Sequence, residues 1–394
     1  MAGILRVLLS VAISGAIHYY VWWRLARRAE LPARARTAIG IATIAMWASI
    51  PITTTSRLWA PAFASKAAWI AMPWMAFVGL AAVWLAVLDL AQLVARLGAR
   101  AARRKAPPSS LAAERALTRR RFLSRITGGA AATAASTSVA AGILSARGDH
   151  AVSDVEIHLA KLPRALDGFT IVQLSDLHTG LTIDRAFVDR VVDRANALSP
   201  VLIALTGDLV DGPVADLRDD IAPLAKLRAR HGVYAITGNH EYYAGADAWI
   251  EHITSLGARY LRNERVTIRD GEAAFELAGV DDHSADSWAG HGEDLAAATA
   301  HRDPSRALVL LAHQPRQVRR AAEHGVDLQL SGHTHGGQIW PWHYVVSLQQ
   351  GGLLAGRYER AQTQLYVSRG CGYWGPPVRL LAPLEITRVI LRSA

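Results

Sequence analysis

Five short polar clusters follow one another through the second half of this chain. They are Asp176-Leu-His178, Gly207-Asp208-Leu-Val-Asp211, Gly238-Asn239-His240-Glu241, an isolated His313, and Gly332-His333-Thr-His335-Gly336-Gly337. Carboxylate, imidazole and amide oxygen together suit a divalent cation such as Mn, Fe, Zn or Mg. Their number suits two ions roughly 3.5–4 Å apart that share one carboxylate. Such a pair activates a bridging water to hydroxide and clamps a phosphoryl group during in-line displacement. A nearby histidine must then protonate the leaving oxygen.

The elements that would carry these clusters read as alternating strands and helices. Phe169–Leu174 is strand-like and ends at Asp176 and His178. Val201–Leu205 is a continuous apolar run, as expected of a strand buried on both faces, and it leads into Gly207-Asp208. Val233–Ile236 enters Gly238-Asn239, Ala307–Ala312 delivers His313, and Val326–Leu330 delivers the 332–337 cluster. Helical spacing fills Asp184–Leu198, Pro213–Arg230 and Ala246–Leu256, while Val155–Leu159, Ala274–Val280, Gln364–Ser368 and Leu384–Leu391 read as further strands. Strand, polar loop and helix in repetition predict an α/β sheet. In such sheets ligand groups gather beyond the strands' carboxyl ends. The clusters should therefore converge on one edge.

The ordered series DxH, GDxxD, GNHE, H and GHTHGG resembles the calcineurin-like metallophosphoesterase family over about residues 170–393. The segment Ser368-Arg-Gly-Cys-Gly-Tyr-Trp-Gly-Pro-Pro-Val-Arg379 looks like its bacterial membrane-associated (YkuE/YaeI-like) branch. The resemblance implies a four-layer α/β/β/α sandwich. It also implies one metal on Asp176, His178, Asp208 and His335, and a second on Asp208, Asn239, His313 and His333, with Asp208 bridging. His240 would be the general acid, so the catalytic set is His240, Asp208 and Asn239. Asp211 and Glu241 are expected to orient these groups from behind. Asp281 and Asp282 recur in that branch but receive no role. His283 and His343 lie near the motif loops, and Trp340, Trp342, Tyr373 and Trp374 suit a pocket lining, core packing or membrane contact.

The first 150 residues have a different character. They hold 19 Lys/Arg and 4 Asp/Glu, a net of +15, whereas the remainder is net −5. A basic nucleic-acid face would belong on the domain with the site, so no nucleic-acid partner is expected. The single cysteine, Cys371, excludes an internal disulfide and a Cys-rich zinc site.

Three apolar stretches, about 3–23, 37–54 and 67–93, read as transmembrane helices within a 1–95 segment. Arginines cluster in the 24–36 loop and again over 95–125, which places both in the cytoplasm. Residues 96–150 read as a basic linker containing a twin-arginine-like Thr118–Leu123 and a fourth, Ala-rich apolar segment at 126–146. If that segment crosses, the 151–394 catalytic domain lies on the outer face of a bacterial cytoplasmic membrane. A peripheral segment instead would leave the domain cytoplasmic.

These features predict a membrane-anchored, dinuclear phosphodiesterase acting on a lipid or cell-envelope substrate. A UDP-2,3-diacylglucosamine-type pyrophosphate hydrolase of lipid A synthesis is the enzyme alternative. A membrane-linked metal-binding sensor is the non-enzyme one.

Overall fold

The computed structural model describes residues 2–102 and 110–394; Arg103, Arg104 and Lys105 of the basic stretch lie outside them. Residues 1–142 form one unit and 143–394 another.

In the first unit, α1 (Ala2–Trp22) occupies the first expected span, and α2 (Ala33–Ser56) extends the short second stretch through Thr53–Thr55. Helix α3 (Pro61–Ala102) continues well past residue 93, and α4 (Ser110–Arg147) takes up most of the expected linker. Among the described residues, Ala33–Ser56, Pro61–Ala95 and Arg121–Arg147 are long and apolar enough to cross a membrane. Some polar groups of this unit are paired, as apolar surroundings favour. Asp89 accepts from Arg24 at 2.8 Å and Arg28 at 2.9 Å, and Trp74 donates to His18 Nε2 at 3.0 Å.

The second unit stacks two sheets between helices. Among the described residues it contains β1 (Ala151–Leu159), β2 (Phe169–Leu174), β3 (Leu202–Leu205), β4 (Val233–Ala235), β5 (Ala258–Tyr260) and β6 (Glu264–Asp270). It continues with β7 (Ala273–Gly279), β8 (Leu308–Leu311), β9 (Leu328–Ser331), β10 (Gly356–Arg360), β11 (Thr363–Val367) and β12 (Glu385–Ser393). One sheet runs β1-β12-β2-β3-β4-β5 and the other β10-β11-β9-β8-β7-β6. The site-bearing strands pair in parallel, β2 with β3 and β3 with β4 in one sheet, β8 with β9 in the other. Their carboxyl ends therefore share an edge within each sheet.

Side-chain alternation assigns the layers. Ile171, Leu202 and Ala204 face Leu277, Val309, Leu311, Leu328 and Leu330 between the sheets. Val172, Leu174, Ile203 and Leu205 point the other way, onto α5 (Arg185–Ala197), α6 (Val214–Ile221) and α8 (Ala246–Ser255). Leu308 and Leu310 pack with α9 (Leu295–Thr299) and α10 (Val318–Glu323) on the far side of the second sheet. This is the α/β/β/α sandwich. Burying one such leucine or isoleucine contributes about 1.5–3 kcal/mol, so these strands are pinned in register.

One helix is shorter than its spacing predicts. The 213–230 stretch is α-helical only to Ile221 and then tightens into a 3₁₀ turn over Ala222–Lys226. Pro223 has no N–H to continue the ladder.

Candidate metal centre

Every metal-ligand and acid candidate read from the sequence lies at the carboxyl edge of the two sheets. Asp176 and His178 follow β2, Asp208 follows β3, and Asn239 and His240 open the short α7 (Asn239–Ala244) after β4. His313 follows β8, and His333 and His335 follow β9. Asp176, His178 and His335 offer ligand atoms within 4.8 Å of one another, as do Asp208, His313 and His333. Asp208 also groups with His178 and His240, so it stands between the two sets.

The backbone bends hard to achieve this. Asp176, His178, Asp208, His333 and His335 all take left-handed φ angles between 51° and 70°. Each costs about 1–3 kcal/mol in a residue other than glycine. Neighbouring loops hold them there: Asp176 N–H donates to the Gly207 carbonyl, His178 N–H to that of Asp208, and Gly372 N–H to that of Asp176. Gly207 and Gly238 lie back to back. A Cβ on Gly238 would run into Asp208 Oδ1 and its backbone nitrogen.

Ring nitrogens meet in a way that suits a cation. His178 Nε2 faces His335 Nε2 at 3.0 Å, and His313 Nε2 faces His333 Nδ1 at 3.3 Å. Nitrogens this close either share a proton as N–H···N or coordinate one cation, because two bare lone pairs would repel. The opposite nitrogens are already committed: His178 Nδ1 donates to Asp211 at 2.7 Å, and His313 Nδ1 to the Thr206 carbonyl at 2.8 Å. Such bonds fix which nitrogen is left to bind a metal. Burial, with the charge on His313 added, lowers His333 to about 3, which keeps that ring in the neutral form a metal takes. The amide oxygen of Asn239 is buried without a hydrogen-bond partner among the described residues, a further acceptor in want of a cation.

Asp211 and Glu241 stand behind this front rank. Asp211 Oδ1 lies 2.7 Å from both His178 Nδ1 and His240 Nδ1, so one carboxylate orients a ligand candidate and the acid candidate together. Burial pulls the His240 imidazole toward neutrality, but the Asp208 and Asp211 carboxylates outweigh it and raise it to about 9. Glu241 is fully buried and accepts from the N–H groups of Asp208 at 3.0 Å, Leu209 at 2.7 Å and Gly238 at 2.6 Å. It thereby ties the β3 loop to the β4 loop.

Several contributors had no assigned role beforehand. Asp282 accepts from Gln314 Nε2 at 2.9 Å, beside His313, and its N–H donates to Thr237. Its neighbour Asp281 pairs instead with Arg262 at 2.7 Å. Arg379, fully buried, donates to the His335 carbonyl at 2.9 Å and to its Nδ1 at 3.2 Å. Tyr243 and Trp374 are exposed and flank His240, with ring centroids 5.3 and 5.8 Å away. Of the other aromatics named above, Tyr373 is core, its hydroxyl on the Thr182 carbonyl at 3.0 Å, while Trp342 is exposed. His283 lies 3.5 Å from Glu293, and the His343 ring stacks on Tyr344 with centroids 3.9 Å apart. Arg379 had a signal in the 368–379 segment that ends on it, and Asp282 and Trp374 were named without a definite role, whereas Tyr243 had no signal.

A family profile described as calcineurin-like phosphoesterase matches residues 169–337. A metallophosphoesterase of Aquifex aeolicus is 34% identical over 61% of this chain and 92% of its own length. YkuE, a metallophosphoesterase of Bacillus subtilis, is 32% identical over 70% of this chain and 98% of its own. The chain belongs to the calcineurin-like metallophosphoesterases. A bovine transmembrane protein with a metallophosphoesterase domain is 41% identical over 64% of this chain. This chain spans about 60% of that relative's length. The family's divalent metals fit the donor set described above.

Proposed function

We propose that this protein is a membrane-anchored phosphodiesterase that uses two divalent cations and acts on a lipid-linked or cell-envelope phosphodiester. The groups of ligand atoms that meet at Asp208, with the unpartnered Asn239 amide oxygen beside them, carry this reading. Asp176, His178, Asp208 and His335 would hold one ion, and Asp208, Asn239, His313 and His333 the other. The bound metals would supply Lewis-acid polarisation of the phosphoryl oxygens and a nucleophile derived from water.

The chain's own groups do the rest. His240 holds a proton that Asp208 and Asp211 keep in place at neutral pH, and it gives this proton to the leaving oxygen. Asp211 fixes the ring through Nδ1, leaving Nε2 as the donor. Purified full-length protein should carry close to two equivalents of Mn, Fe, Zn or Mg by elemental analysis and hydrolyse phosphodiesters in a panel that includes phospholipids. One tightly held ion with full turnover would overturn the dinuclear reading.

The charge pattern of the membrane segment favours the outer face for the 151–394 domain. A reporter fused after Ala394 should then be active only outside the cytoplasm, and cytoplasmic activity alone would reverse the assignment. That reversal would favour the UDP-2,3-diacylglucosamine-type alternative, whose substrate is a cytoplasmic intermediate.

A further inference from the structure

Within the second unit, helix α11 (Trp342–Gln349) has no buried residue, although it is rich in large apolar side chains. Tyr344, Val345 and Leu348 are 67, 53 and 83% exposed. Their i, i+1, i+4 spacing puts them on one face. Contiguous exposed apolar surface of this kind marks an interaction site rather than chance.

Beside the end of α11 opens a cavity of about 500 Å³, with Leu348 among its lining residues. Four arginines also line it: Arg316, Arg319, Arg320 and Arg360. Arg320 is occupied by Glu293 at 3.0 Å, and Arg316 by the Gln314 side chain at 2.6 Å. Arg319 and Arg360 have no carboxylate partner among the described residues. Gln317, 3% exposed, also lines the cavity and keeps its Nε2 donor without a hydrogen bond among the described residues, while Glu293 and Glu359 add two carboxylates to the four arginines. Two arginines without a carboxylate partner and one unsatisfied amide donor in a hollow that stays net positive suit an anionic, hydrogen-bonding occupant.

We propose that α11 and this arginine-lined cavity form a docking surface for an anionic bilayer. Phosphate-bearing headgroups seat against Arg319 and Arg360, while Tyr344, Val345 and Leu348 enter the boundary between headgroups and acyl chains. An aromatic and aliphatic face next to basic side chains is the composition of interfacial helices. The chain's own helices, apolar enough to cross a membrane, keep lipid within reach. The proposal needs no particular substrate and no activity.

The test uses full-length protein in nanodiscs of phosphatidylcholine alone or mixed with phosphatidylglycerol. Native Cys371 is buried, so Leu348→Cys or, separately, Val345→Cys can be labelled selectively with an environment-sensitive fluorophore. The label should shift to the blue and be quenched by doxyl lipids at least about twofold more strongly in the phosphatidylglycerol discs. Combining either variant with Arg319→Glu and Arg360→Glu should return quenching to the phosphatidylcholine level. An unchanged circular-dichroism spectrum and thermal transition report that the variants are folded. A label that stays aqueous at both positions overturns the proposal, as does equal quenching in both lipids. An equal blue shift on adding inorganic phosphate to detergent-solubilised protein would assign the cavity to a soluble anion and also overturn it.

Discussion

Replacing Asp208 by asparagine is expected to remove turnover and at least one metal together. Its Oδ2 lies 3.0 Å from His313 Nε2 and 3.7 Å from His178 Nε2, so it reaches into both ligand groups. Its Oδ1 accepts from His240 N–H at 2.8 Å, a bond that an asparagine oxygen can keep. The substitution therefore removes charge while sparing shape. A metal pair supplies several kcal/mol of transition-state stabilisation, so kcat should fall on the order of 10³-fold or more. Elemental analysis should show the metal content drop from two to one or fewer per chain. Two metals retained, with a rate within about tenfold of the parent, would remove Asp208 from its bridging role.

His240→Ala should separate chemistry from metal binding. Loss of a general acid lowers kcat by roughly 10²–10⁴-fold, and the metal content should stay unchanged. The loss should be smaller for a nitrophenol leaving group, which departs without a proton, than for an alkanol. The pH profile gives an independent readout. The Asp208 and Asp211 carboxylates raise His240 above its ordinary range in the folded chain. Asp211 keeps its hold on Nδ1 whatever Asp208 binds, so the acid form is lost only on a basic limb. The parent rate should fall on that basic limb, and His240→Ala should lack it. Asp211→Asn, which removes one of the raising carboxylates, should move the limb toward lower pH and cost about 10–100-fold, as loss of an orienting partner does. A basic limb that survives His240→Ala unchanged would assign the acid elsewhere.

The ligand candidates were legible because each sits at a strand's end, where an apolar run breaks into a polar loop. Local pattern suffices for that. It also suffices for β2, whose bounds at Phe169–Leu174 match the expectation from the sequence. What local pattern cannot carry is pairing between distant segments. Strand β12 inserts between β1 and β2, and no periodicity in Glu385–Ser393 announces it. Arg379 reaches His335 across 44 positions, and Asp282 reaches Gln314 across 32. Tyr243 was obscured differently. It sits one turn after His240 on α7, a helix of six residues that is too short to show a period. Helix α11 escaped notice because its apolar residues face outward, so its spacing carries no signal of a core.

The left-handed backbone at Asp176, His178, Asp208, His333 and His335 bears on how such a centre could be moved or built. The five residues sit on three loops, after β2, β3 and β9, and those loops depend on hydrogen bonds from their neighbours, as at Asp176 and His178, to keep these shapes. Grafting one motif onto a foreign scaffold would carry over its side chains but not their aim. The transferable part is these loops together with their neighbours and both sheet edges. Tyr243 and Trp374 carry no left-handed φ and their side chains are exposed, so those two positions can be varied without disturbing the bent loops.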